Sequence, residues 1–539
     1  MNDEQEDAQF ECVCREIITE LIARPYYPKG KITELKNKIL KKYSLTRTMK
    51  NSEILQYASE EELEIILPIL RRRSTRTISG VTVVAVMTKP IECPGKCLYC
   101  PGSDSQPGEK AAQSYTGQEP AAIRSIIYGY DPYLQTRNRL LDLQSIGHKI
   151  DKIELILMGG TLLSAPETYQ RNFVKGCYDA INHFYESEPS ITSQSLEESL
   201  KRAETAQLRV VGLTVETRPD YCFPPHIDKI LSYGGTRVEI GIQTTRSTIL
   251  AQLNRGHTIQ DSKHAIRYAK DVGLKINTHI MPNLPGTTPK EDFEDFMELF
   301  RNPDFRPDML KIYPTLVVKG TKLYEMWKKG EYQSYSLETT VNLIAKMKSH
   351  LPKYVRIQRI QRDIPAYLIE DGVKKSNLRQ LVQNRLKELN QQCSCIRCRE
   401  QGFVKQSHLD NDTFELERVD YEASEGLEIF LSYEQNNTIL GYLRLRKPSE
   451  QVHRSELRDD TMIIREIRVV GEIVPRLEKP FLNQVQHRGY GQKLLMKAEE
   501  IARDEFESKK LAIISGVGVR EYFYKLGYQR DGAYVSRLL

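Results

Sequence analysis

The sequence predicts an α/β chain: a complete or partial barrel of parallel strands, followed by a second, smaller α/β domain. Strand-like and helix-like stretches alternate from about residue 80 to 370, as repeated βαβ units require. The rhythm breaks over about 370–415 and resumes in a shorter unit that runs to 539. A chain of 539 residues also exceeds what one hydrophobic core organises, so two or three domains are expected.

Residues 1–75 read as a helical region, from the apolar spacing in ECVCREIITELI and EELEIILPILRRR. Two basic stretches fall there, KGKITELKNKILKKYSLTRTMK (Lys29 to Lys50) and RRRSTRT (Arg71 to Thr77). Clustered cations suit a polyanion, because each neutralised phosphate releases condensed counterions; a solvated helix face is the alternative. Residues 76–369 form the barrel. VTVVAVMT, from Val81, is its first strand, and further strands begin near Lys152, Leu208, Thr236, Leu274 and Asp308. In such a barrel the chemistry sits at the carboxyl ends of the strands. Residues 370–415 read as a linker with its own cysteine staple, and 416–539 as the second domain.

A hydrophobic fraction of 40% and a charged fraction of 28% are those of a soluble globular protein. No apolar run approaches the roughly 20 residues that span a bilayer. The acidic start, MNDEQEDAQFECVCREI, lacks the basic-then-apolar order of a secretory signal, so no membrane association and a cytoplasmic location are expected.

Of the ten cysteines, Cys93, Cys97 and Cys100 form one cluster, Cys393, Cys395 and Cys398 a second, and Cys12 and Cys14 a pair. Tight clusters in a large chain of this kind point to metal sites rather than disulfides; Cys177 and Cys222 read as buried apolar residues. The first cluster lies in IECPGKCLYCPG, where the first strand ends. Its Cys-x-x-x-Cys-x-x-Cys spacing suits three irons of a [4Fe–4S] cluster. The fourth iron is left for S-adenosylmethionine (SAM) to chelate; a zinc site is the alternative. Tyr99 stands just before the last cysteine. Gly159 and Gly160 end the next strand, where bare backbone lets a ligand approach. Glu216, Arg218, Gln243 and His279 sit at predicted strand ends, as SAM contacts or as structural hydrogen-bonding groups.

The second cluster suits zinc, with a fourth ligand left open between His408 and a Cys12 or Cys14 that folds back. In the last domain a predicted strand precedes Gln486, Gly489 and Gly491 in the order Q-x-x-G-x-G, and a helix follows. Free N–H groups at such a helix start suit a pyrophosphate.

The cysteine spacing with its glycine pair resembles the radical SAM superfamily. The glycine turn, with EYFYKLGY some thirty residues on, resembles the GNAT acetyltransferase fold, whose turn grips CoA. GNAT enzymes often carry a proton-donating tyrosine where this chain has Phe523; Tyr522 beside it is the catalytic candidate. The pairing of both domains, with QSYTGQEP, GLTVETRPDYC, LKIYPTLVVKGT and ISGVGVR, resembles the Elongator catalytic subunit family in its archaeal and bacterial form.

That resemblance implies carboxymethylation at C5 of the wobble uridine of tRNA. A 5′-deoxyadenosyl radical from SAM takes hydrogen from the methyl of acetyl-CoA, the carbon radical adds to uracil, and thioester hydrolysis follows. It implies acetyl-CoA contacts at Lys152, at Glu466, Ile467, Arg468 and Val469, at Tyr490, Gly491 and Gln492, and at Phe523. It also implies an electron donor for the cluster and an anticodon stem-loop as partner, with Arg71, Arg72, Arg73 and Arg76 as candidate phosphate contacts. Oligomeric state and accessory subunits stay open. Two rival readings are a protein lysine acetyltransferase using only the last domain, and a tRNA-binding scaffold whose sites have decayed.

Overall fold

The computed structural model describes residues 3–24, 26–71, 78–101, 111–186, 193–403, 414–471, 474 and 488–539. Four helices come first, α1 (Asp3–Ile22), α2 (Ile32–Lys42), α3 (Asn51–Gln56) and α4 (Glu60–Leu70). Their apolar faces, from Phe10 and Val13 to Ile69 and Leu70, enclose a separate core. Cys14 is buried in that core, so it does not fold back to the second cysteine cluster. Lys36, in the basic α2, is buried as well, its ammonium on the Met49 carbonyl at 2.5 Å.

The barrel strands are β1 (Thr82–Met87), β2 (Lys152–Met158), β3 (Arg209–Thr217), β4 (Arg237–Gln243), β5 (Lys275–Ile280) and β6 (Met309–Ile312). All six fall where the sequence places them. They pair in parallel in chain order. A short β7 (Val317–Val318) pairs outside the barrel with β9 (Ile369–Asp371), and β8 (Arg356–Arg359) adds a seventh parallel strand beside β6. The result is an open, partial barrel. Residues 378–396 are not a free linker, for Leu378, Val382, Leu386, Cys395 and Ile396 all join the barrel core.

The last domain is a second seven-stranded sheet: β10 (Glu415–Ala423), β11 (Gly426–Gln435), β12 (Thr438–Lys447), β13 (Thr461–Val469), β14 (Lys510–Ile513), β15 (Gln529–Asp531) and β16 (Tyr534–Leu538). Its one parallel pair, β13 with β14, holds only from Thr461 to Ile464. Beyond that the strands part, leaving Arg465 to Val469 unpaired on one side as a wedge-shaped opening. Among the described residues no helix is long and apolar enough to cross a membrane.

The two domains meet through a shared apolar core, in which Ile463, Ile514 and Val517 join the barrel residues, and through charges withdrawn from water. Arg465 binds Asp308 at 2.5 Å and Glu428 at 2.8 Å. Arg446 binds Asp271 at 2.6 Å and Glu428 at 3.1 Å. Arg444 binds Glu466 at 3.0 Å, and Lys270 lies 3.5 Å from Asp308. Lys270, Asp271 and Asp308 come from the barrel and the rest from the second sheet. Burial opposes the charged carboxyl of Asp308, but Arg465, Lys270 and Arg444 outweigh it and hold its pKa well below the ordinary carboxylate range. The loop Ile514–Arg520 then closes on β3. A methyl at Gly516 would meet the Val211 carbonyl oxygen at 2.3 Å, and one at Gly518 the Val210 amide at 2.6 Å, so only glycine allows this contact.

A group with a depressed pKa stabilises the fold above its unfolded value, so this contribution is present at neutral pH and fades as pH falls below about 4. Asp308→Ala leaves Arg465 and Lys270 buried without their carboxylate. It is predicted to cost about 3–5 kcal/mol at pH 7, read as a lowered midpoint in urea unfolding, the cost shrinking progressively as pH falls below about 4.

Candidate active site

The carboxyl ends of the barrel strands open into a cavity of about 150 Å³. The loop after β1 carries Cys93, Cys97 and Cys100 to its edge, each half-buried. An N–H group faces every sulfur: the Gly95 amide 3.5 Å from Cys93, Arg255 Nη1 3.3 Å from Cys97, and Gln113 Nε2 3.3 Å from Cys100. Such donors stabilise sulfur that carries negative charge. The three sulfurs do not gather within 4.8 Å of one another. One tetrahedral zinc needs its thiolates roughly 3.8 Å apart, given a Zn–S bond of about 2.3 Å, so the loop suits a wider multi-iron cluster. Beside it, Thr161 Oγ1, Arg218 Nη1 and Gln243 Oε1 are buried with no hydrogen-bond partner among the described residues. Donors and acceptors left open in one cavity fit a polar ligand.

Tyr99, Gly160, Glu216, Arg218, Gln243 and His279 all line this cavity. Gly159 turns elsewhere: its φ is +120°, and an added Cβ would lie 2.2 Å from Thr88 Oγ1. Tyr99 accepts a hydrogen bond from Arg255 at 3.2 Å, and Glu216 accepts one from Tyr115 at 2.8 Å. Burial pushes the Glu216 carboxyl up. Burial and then Lys311 push His279 down to about 4, so its imidazole is neutral at neutral pH. Arg218 is fixed by Asp220 at 2.9 Å and by the Arg255 carbonyl at 2.8 Å.

Sequence reasoning misses Arg255, Gln113, Glu239 and Lys311. Glu239 is buried on β4 and pairs with Lys311, which also lies 3.8 Å from Glu216. Charged residues alternating with Val238, Ile240 and Ile242 were the available signal, since residues two apart share a strand face.

A second cavity, of about 740 Å³, lies at the opposite ends of the same strands, between them and the last sheet. It is lined by Lys152, by Glu466, Ile467, Arg468 and Val469, by Tyr490, Gly491 and Gln492, and by Tyr522 and Phe523. Every contact that the resemblance implies for acetyl-CoA therefore shares one pocket. Lys152 Nζ donates to the Val474 carbonyl at 2.9 Å. Gly489 caps the helix Tyr490–Glu500 with φ +82°, presenting that helix's first N–H groups to the pocket. Phe523 is buried against Tyr528, while Tyr522 is exposed at the rim. Gln486 lies outside the described residues.

The ELP3 N-terminal domain family matches residues 10–78, the Radical SAM superfamily residues 91–300 and the Radical_SAM C-terminal domain residues 307–388. A tRNA uridine(34) acetyltransferase of Methanocaldococcus jannaschii is 47% identical over 98% of this chain and 97% of its own. The chain belongs to the Elongator complex protein 3 family. A Schizosaccharomyces pombe Elongator complex protein 3 is 43% identical, over 98% of each chain. The solved structure of the archaeal Methanocaldococcus infernus Elp3, with an N-terminal deletion of residues 1–46, matches 86% of this chain and 100% of that one. Its TM-score is 0.75 and its identity 45%.

Membership of the Elongator complex protein 3 family within the radical SAM superfamily implies a [4Fe–4S] cluster and SAM, which suits the spread thiols and open polar atoms of the first cavity. The second cysteine cluster has the opposite geometry. The Cys393, Cys395 and Cys398 sulfurs all lie within 4.8 Å of one another, and among the described residues no fourth such ligand joins them. Lys348 Nζ is 3.5 Å from Cys398 Sγ. Cys12 is exposed on α1, and His408 lies outside the described residues. Arg71 caps the end of α4; Arg72, Arg73 and Arg76 also lie outside the described residues.

Proposed function

We propose that this chain carboxymethylates C5 of the wobble uridine of tRNA, taking its two-carbon unit from acetyl-CoA by radical SAM chemistry. One observation carries the reading: a loop of three spread thiols and a pocket of about 740 Å³ beside a glycine-capped helix start occupy opposite ends of the same set of strands. The family's relatives named tRNA uridine(34) acetyltransferases support the substrate.

Cys93, Cys97 and Cys100 hold three irons, and Arg255 offsets the negative charge on the sulfur of Cys97. The cluster, when bound, supplies the electron that splits SAM into methionine and a 5′-deoxyadenosyl radical. Tyr99, Gly160, Glu216, Arg218, Gln243 and His279 orient SAM, and Gly159 secures the backbone beside it. The neutral His279 offers one hydrogen-bond donor and one acceptor. At the other end the Arg488–Gln492 turn holds the CoA pyrophosphate, and Lys152 and Glu466 to Val469 line the path of its arm. The buried Phe523 has no proton to give a leaving thiolate, so that role falls to Tyr522. Arg71, with Arg72, Arg73 and Arg76, steadies the phosphates of an anticodon loop whose bases are already unpaired.

Lys275 at one end of β5 and His279 near the other are four residues apart, roughly 13 Å along a strand. Because the ion network fixes the domains, the flexible arm of CoA, not domain movement, closes this gap once tRNA is bound. We also infer that Cys393, Cys395 and Cys398 hold a structural zinc, with a fourth ligand outside the described residues or from solvent.

Reconstituted protein with reductant, SAM, tRNA and methyl-deuterated acetyl-CoA is predicted to yield deuterated 5′-deoxyadenosine and carboxymethyluridine, both abolished by Cys97→Ala. SAM cleavage without label transfer would exclude the acetyl methyl as hydrogen donor. Product persisting in Cys97→Ala would exclude the radical route and favour a plain acetyltransferase. Zinc analysis of aerobically purified protein is predicted to give about one ion per chain, lost in Cys395→Ser; a folded, zinc-free protein contradicts that site.

A further inference from the structure

The pocket between the domains is lined by several cations, and those from the barrel and β13 are engaged, with one exception. Arg237 pairs with Glu154, Arg209 with Glu521 at 2.8 Å, and Arg465 with Asp308 at 2.5 Å. Lys152 donates to the Val474 carbonyl at 2.9 Å and Arg468 to the Ser79 carbonyl at 3.1 Å. Lys275, the first residue of β5, lines the same pocket half-buried, and among the described residues its amine has no hydrogen bond and no ion pair.

Its two nearest sources of negative charge are already taken. Glu154 faces Arg237, and Glu466 accepts from Tyr442 and from Arg444, both at 3.0 Å. Other inward-facing lysines have a partner: Lys311 meets Glu239, and Lys270 lies 3.5 Å from Asp308. Burial, tempered by Glu466, pushes the pKa of the Lys275 amine down to about 8, so an acceptor in the pocket would favour its charged form. A ligand in the pocket can supply the acceptor that the described residues do not.

We propose that Lys275 donates a hydrogen bond to the thioester carbonyl oxygen of an acyl-CoA, and that the pocket thereby selects an acylated CoA over one without a carbonyl. This rests on the reading that the pocket takes acetyl-CoA. The carbonyl is the acceptor that distinguishes a thioester from free CoA or an S-alkyl thioether. It belongs at the end of the CoA arm, and Glu466 heads the Glu466–Val469 run along that arm. A bond from an ammonium also draws electron density from the carbonyl, preparing it for attack by water.

The test compares calorimetric binding of acetyl-CoA and S-ethyl-CoA, which lacks only the carbonyl oxygen, to the full-length wild type, Lys275→Met and Lys275→Arg. The wild type should prefer acetyl-CoA by about tenfold or more, as one charge-assisted hydrogen bond supplies. Lys275→Met should bind the two compounds within about twofold of each other, and Lys275→Arg should recover part of the preference. A merely structural lysine would alter both affinities by the same factor and leave their ratio as in the wild type. Retention of the full preference in Lys275→Met, or its absence in the wild type, overturns the proposal while leaving the pocket assignment intact. If the wild type binds neither compound, the assignment of the pocket itself fails, and this proposal with it.

Discussion

Four basic and four acidic side chains, all deep inside the protein, join the barrel to the last sheet. Lys270, Arg444, Arg446 and Arg465 are set against Asp271, Asp308, Glu428 and Glu466. Taking any one of these from water alone is strongly unfavourable, and their attraction offsets that only while the geometry is kept. Asp271 shows how closely it is kept, accepting from Ser449 Oγ at 2.6 Å and Ser449 N at 3.0 Å as well as from Arg446. Apolar side chains of both domains, among them Val272, Ile463 and Ile514, pack in one cluster as well, and a small shift would leave a buried charge unpaired. The two domains therefore behave as one block.

That constraint decides where the two cavities lie. The last domain is fixed against the amino-terminal ends of the barrel strands, so its wedge opens onto Lys152, Arg237 and Lys275. The cysteine loop follows the opposite strand end, as parallel βα units dictate. Between them the inward faces of β4 and β5 carry Arg237, Glu239, Asn277 and His279, linked by Asn277 Nδ2 to Glu239 at 3.0 Å and His279 Nε2 to Glu239 at 3.3 Å. The middle of the barrel is thus polar, where ordinary barrels pack branched apolar side chains.

The sequence made much of this legible. All six βα units, the cysteine spacing and the glycine turn are local patterns, and local patterns survive without knowledge of the tertiary fold. Every acetyl-CoA contact implied by resemblance lines one pocket, and six of the seven SAM candidates line the other. The buried charges were not legible, because Asp308, Glu428 and Arg465 meet only through folding and each reads locally as a polar strand residue. Arg255 was missed for the same reason, lying 158 positions from the cysteine it faces. Residues 378–396 read as a linker because their charge hides an apolar stripe, Leu378, Val382 and Leu386, at helical spacing. Cys14 suggested a ligand by type alone, and its apolar helical neighbours claimed it instead.

The central claim is that acetyl-CoA and the cluster occupy opposite ends of one rigid barrel. Electron–nuclear double resonance on the reduced, cluster-bearing protein, with acetyl-CoA labelled by ¹³C at the methyl and no tRNA present, tests it directly. The account predicts a weak dipolar coupling corresponding to more than about 10 Å, in line with the strand rise between Lys275 and His279. A strong coupling, from a methyl carbon within about 5 Å of the cluster, would mean that the acyl group binds at the cysteine loop and would contradict it.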